Sequence, residues 1–153
     1  MDKLKIHLKK ESFYINNAKS VIGVICFSTN DFYFPGKAWD DFVVVVLYWL
    51  TRELIELTFN KEKIAESPFM EGCFKVAFSL DAEEKCTIHF IEGEKLVGDE
   101  EIVHKTIVVP FEEVKREVKK ACEILLEMKE TKELDFEEDY EELKESYELL
   151  CTC

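Results

Sequence analysis

The longest apolar run, FVVVVLYWL at residues 42–50, and the pattern that continues from it limit the folds open to this chain. Its nine residues are half the roughly 18 needed to cross a bilayer. Upstream, Pro35-Gly36 breaks the chain, and Asp40 and Asp41 stand where a helix N-cap and a first-turn dipole partner belong. From Trp39 onward, Val43, Val46, Leu47, Leu50, Leu54 and Leu57 recur at three- and four-residue steps, which is one helical face. Arg52, Glu53 and Glu56 fall off that face. The four valines favour a strand, but that preference costs only about a few tenths of a kcal/mol per residue in a helix. The sustained stripe wins, and the spacing predicts a helix to Leu57.

Around this helix the period is two. Leu4, Ile6 and Leu8 alternate with lysines and His7, Asn16-Asn17 signals a turn, and Val21–Phe27 reads as a more buried partner strand. Phe74, Val76, Phe78 and Leu80 mark a third strand; Cys86, Ile88 and Phe90 mark a fourth, paired with it in a hairpin; Ile102–Val109 marks a fifth. Pro110 suits the first position of a helix carrying Phe111, Val114, Val118, Ala121, Leu125 and Met128. A last, acidic helix at about 135–150 follows from Phe136, Tyr140, Leu143, Tyr147 and Leu150, with Asp135 and Glu138 placed as a capping box. The order ββ-α-βββ-αα predicts an α+β fold: an antiparallel sheet of about five strands covered by about three helices. With 153 residues, no linker and no repeat, the expectation is one domain over residues 1–153.

Composition narrows the function classes. A net charge of −13 argues against binding nucleic acid or an anionic membrane surface. Charges threaded through the first fifteen residues leave no apolar leader core, so the expected location is cytoplasmic. Six cysteines contain no C-x-x-C, and the four that precede the terminal C-T-C sit in apolar patterns as small core residues would.

No catalytic, cofactor or metal motif emerges, and the protein is read as a non-enzyme without cofactor. Asp40 and Asp41, neighbours on a helix, point about 100° apart with no third ligand at i+4. Trp39 and Trp49 are read as core. His7, His89 and His104 each fall in an expected strand, and solvated histidines account for them better than a zinc site does. Glycine-rich phosphate loops and a G-x-S-x-G nucleophile turn are absent.

Charge distribution carries the remaining signal. Residues 1–19 hold five lysines against Asp2 and Glu11, a balance of +3. Residues 130–148 hold ten acidic residues against Lys132 and Lys144, a balance of −8. Glu137–Glu141, Glu138–Glu142 and Glu141–Glu145 are like-charge i,i+4 pairs, each costing about a few tenths of a kcal/mol. Three accounts stay open: plain solvation, pairing with Lys3, Lys5, Lys9 and Lys10, or a basic protein partner steered to this face. The candidate partner-binding residues are Glu138, Asp139, Glu141, Glu142, Glu145 and Glu148.

Phe34-Pro35, Trp39, Asp41-Phe42 and the apolar helix through Leu47 and Trp49 resemble a pattern in small bacterial immunity proteins of polymorphic-toxin and contact-dependent inhibition systems. The likeness extends to Phe69-Met70-Glu71-Gly72 and to the helix after Pro110. It implies a non-catalytic protein that binds and neutralises a cognate toxin, a class that includes basic nucleases, and it assigns no binding residues. Two other classes compete. One is an intracellular adaptor module; the other is a small-ligand binder with its pocket between the Trp39–Leu57 helix and the sheet.

Overall fold

A computed structural model describes residues 2–93 and 100–153. The expected opening hairpin forms from β1 (Lys5–Ile15) and β2 (Val21–Thr29). Its turn is built by Asn16, whose side-chain oxygen accepts the Ala18 and Ser20 N–H groups. Register slips between Lys9 and Tyr14, and Ser12 fills the bulge by accepting the Val24 N–H at 2.9 Å. Opposite it, the Phe13 ring lies on Gly23; a Cβ there would stand 2.1 Å from a ring carbon.

Two short strands share the other edge of β2. They are β3 (Phe32–Phe34), paired to Phe27–Thr29, and β4 (Asp40–Phe42), paired to Ile22–Val24. The 35–39 connection, entered through a cis Phe34–Pro35 bond, separates them. The helix α1 (Val43–Phe59) leaves directly from β4. A second antiparallel sheet follows in sequential order: β5 (Ala65–Pro68), β6 (Phe74–Leu80), β7 (Lys85–Glu92) and β8 (Ile102–Pro110). The chain closes with α2 (Phe111–Glu130) and α3 (Tyr140–Thr152).

The α+β class and the three helices are as expected; the strands are more numerous and divided. Among the described residues eight strands form two four-stranded sheets, where five in one sheet were expected. The additional strands are three or four residues long, too short to display a period of two. Aromatic rings join the sheets: Phe34 meets Phe90 at 5.2 Å and Phe74 at 5.6 Å, and Phe27 meets Phe69 at 6.0 Å.

The α1 stripe forms the centre of the core. Val43, Val46, Leu47, Leu50, Leu54 and Leu57 are each no more than 2% exposed. Side chains therefore fill the space between α1 and the sheets, where the ligand-binding alternative places its pocket. The α2 stripe from Phe111 to Met128 is buried along its whole length. No helix among the described residues is long and apolar enough to cross a membrane.

Candidate functional site

Helix α3 begins at Tyr140, later than the spacing of Phe136 and Tyr140 implies. Phe136 is 1% exposed and stacks edge-on against Tyr140, so its burial fixes a non-helical path up to Asp139. Asp139 is the N-cap in a left-handed conformation, φ 56°, with no side-chain cap bond. The expected capping box is thus not formed. Asp135 instead accepts a hydrogen bond from the Lys129 ammonium at 2.6 Å, which holds its carboxyl below the usual range. Glu138 accepts one from the Ser20 hydroxyl at 2.6 Å.

Leu143, Ser146 and Leu150 seat α3 on the core, and the Tyr147 hydroxyl donates to Glu123 on α2 at 2.6 Å. Turning by about 100° per residue, Glu141, Glu145 and Glu148 fall within an arc of about 60° opposite that seat, with Glu142 on the flank. All four are exposed, and no ion pair or hydrogen bond holds their side chains among the described residues. Asp139 is half-buried, and burial together with Glu138 and Glu142 raises its carboxyl above the ordinary value. Four of the six candidates therefore form a free acidic face, Glu138 ties the start of the helix to Ser20, and Asp139 is the half-buried residue at the helix start.

The N-terminal lysines are not the counter-charge for that face. Lys10 approaches Glu133 at 3.8 Å, and no pair links Lys3, Lys5 or Lys9 to the acidic segment among the described residues. The edge of β1 is occupied by α2, whose Glu113 and Glu117 carboxylates accept the Leu4 and Ile6 N–H groups. The helix start at Tyr140 also removes Glu137–Glu141 and Glu138–Glu142 from the set of intrahelical pairs, leaving Glu141–Glu145.

Asp40 and Asp41 lie on β4, and α1 starts at Val43 without a side-chain cap, so neither aspartate caps it. Asp41 is 1% exposed. Its carboxylate accepts the Trp39 indole N–H at 2.9 Å, the Glu71 backbone N–H at 3.1 Å and the Phe42 N–H at 2.7 Å. Trp39 and Trp49 are half-buried; Trp39 packs against the core from its edge, as expected of a core contact, but precedes the helix whose stripe it was assigned to. A W-x-D spacing on a strand puts both side chains on one face; that signal in residues 39–41 was masked by the helical reading.

Two open grooves flank the segment around Ala38. One, of about 470 Å³, is lined by His7, Lys9, Tyr33 and Lys37; the other, of about 630 Å³, by Tyr14, Trp39, Asp40, Asp41 and Glu71. The histidines do not converge: His7 bonds Ser28, His89 bonds Thr106 and His104 bonds Glu92. No cluster of three metal-ligating side chains occurs among the described residues. Cys26, Cys86, Cys122, Cys151 and Cys153 are free thiols. Cys73, expected in the core, is exposed ahead of β6, whereas burial pushes Cys26 up to about 11 and Cys86 and Cys122 up to about 12.

Comparison of the chain with protein-family models, curated proteins and solved structures gives no match.

Proposed function

We propose that this protein is a cytoplasmic, non-catalytic immunity protein that binds a cognate basic toxin domain and occludes it. The observation that carries the reading is the outward row of Glu141, Glu145 and Glu148, with Glu142 beside it, on a helix seated in the core. Unpaired carboxylates on a rigid element raise the encounter rate with a cationic partner and cost the free protein self-repulsion. The resemblance of the Phe34–Trp49 stretch to immunity proteins supplies the class of partner. No chemistry is asked of the protein; occlusion needs only a stable scaffold and a complementary face.

The test looks for a toxin domain in the gene immediately upstream, co-expresses it with this protein, and follows with association kinetics on the purified domain. The wild-type protein rescues growth and co-purifies with the domain. Reversing Glu141, Glu142, Glu145 and Glu148 to lysine slows association at low salt, and the difference collapses near about 0.5 M salt as screening shortens the interaction range. An unchanged association rate at low salt removes this face from the proposal. Failure of the wild type to rescue or bind removes the toxin reading.

A further inference from the structure

We infer that the groove beside β4 receives a lysine or arginine side chain of the protein partner, with Tyr14 and Trp39 as aromatic walls and Asp40 and Glu71 as counter-charges. This deepens the toxin-binding reading and rests on it for the partner's identity. The groove's own chemistry argues for the cation. Its lining brings together Asp40, Asp41 and Glu71 and holds no cationic side chain among the described residues. Asp41 is almost fully buried there, and its recorded partners are N–H dipoles, not an ammonium or guanidinium. A buried carboxylate compensated only by dipoles leaves a net negative site that a cation stabilises.

The walls fit the same occupant. Tyr14, Ile22 and Phe42 stand in register across β1, β2 and β4 and make an apolar floor. Tyr14 keeps 55% of its surface exposed. Trp39 is fixed by the Asp41 bond and by an edge-on contact with Phe74 at 5.1 Å. Gly72, at φ 71°, gives the Phe74 ring and the indole room, since a Cβ there would lie 2.9 Å from Phe74 and 3.2 Å from Trp39. An aromatic ring clamped at the rim binds a cation over its face without a further ordering cost.

A chain of hydrogen bonds links the groove to the segment just before the acidic helix. Asn16, also in the lining, accepts the Ser20 N–H at 2.9 Å, and Ser20 donates to Glu138 at 2.6 Å. The α3 face then governs arrival, and the groove governs residence of the partner once it has docked.

The experiment titrates the ¹⁵N-labelled protein with N-acetyl-arginine amide and, in parallel, with its neutral isostere N-acetyl-citrulline amide. The Trp39 indole N–H shifts saturably with a dissociation constant of about 1–10 mM for arginine, while Trp49 serves as the internal control. Citrulline, or the Asp40→Asn/Glu71→Gln variant, weakens the response roughly tenfold or more. Both substituted residues are exposed, so the variant folds, which its unchanged amide spectrum elsewhere verifies. No saturable shift at Trp39, or equal shifts with arginine and citrulline, overturns the groove and leaves the toxin reading standing. In the toxin complex the same variant raises the dissociation rate and keeps the salt dependence of association; an unchanged dissociation rate also overturns the proposal. If the toxin does not bind at all, the toxin reading falls, and the arginine titration still decides whether the groove takes a cation.

Discussion

Trp39 donates its indole N–H to Asp41 two residues along, at 2.9 Å, and the same carboxylate oxygen takes the Glu71 N–H from the loop before β6. One buried side chain thus ties the edge of the first sheet to the entry of the second. Asp41→Ala leaves these donors without their acceptor in a dry site and costs about 2–4 kcal/mol. Asp41→Asn keeps one acceptor oxygen and costs about half as much. Urea unfolding followed by tryptophan fluorescence measures both; a loss under about 0.5 kcal/mol for the alanine variant would mean that water reaches the site.

Gly23 and Phe13 form a second pair whose fit is checkable. The ring occupies the space a Cβ at position 23 would need, 2.1 Å from the nearest ring carbon. Gly23→Ala must displace the ring or the β1 bulge and costs about 1–3 kcal/mol. Phe13→Ala frees that space, so the double variant is more stable than the sum of the single losses predicts. A double-mutant cycle in urea with zero coupling would exclude the contact.

His7 sets the expected acid response of the first sheet. Burial, then Lys5, lowers its pKa from the ordinary 6.5, against a smaller upward pull from Glu117. Between the folded pKa and 6.5 the unfolded chain binds more protons than the folded one. Stability therefore rises with pH through that window, and the loss on acidification is complete below the folded pKa, where both states are protonated. Replacing His7 with Gln flattens this part of the stability–pH curve, and an NMR titration of the wild-type ring gives a value under 6.5. An unchanged slope in the variant would assign the acid response elsewhere.

The long elements were legible because each carries enough turns or alternations to average over exceptions. The α2 stripe from Phe111 to Met128 and the α1 stripe from Val43 to Leu57 fall on buried positions throughout. The β3, β4 and β5 segments were not legible, since three or four residues cannot outvote their neighbours. In β4 the two aspartates also suggest a cap, and the preference for a strand comes from pairing with Ile22–Val24, which is tertiary. The α3 boundary failed for a related reason. Phe136 keeps helical spacing with Tyr140, but the core claims it before the helix begins. Of the site, the free carboxylates were visible as charge; the cavity that joins Tyr14 to Trp39 and Glu71 needs three separate chain segments and has no linear signal.

Glu145 is where stability and the proposed function pull apart. Within α3 as it forms, Glu145 faces Glu141 at i−4, Glu142 at i−3 and Glu148 at i+3, so it takes part in every close like-charge contact of that face. Glu145→Lys converts those repulsions to attractions, and Glu141 then lies one turn N-terminal to the introduced lysine, which is the favourable order. The variant gains about 1 kcal/mol of stability at low salt, and the gain shrinks toward zero near about 1 M salt as screening sets in. Chemical denaturation at two ionic strengths reads this directly. The same variant associates more slowly with a basic partner, because it removes the centre of the steering row. A stabilised protein with undiminished association would mean that the acidic face is only a solvated surface, and a protein that gains nothing would mean that the Glu145 contacts are already relaxed by solvent.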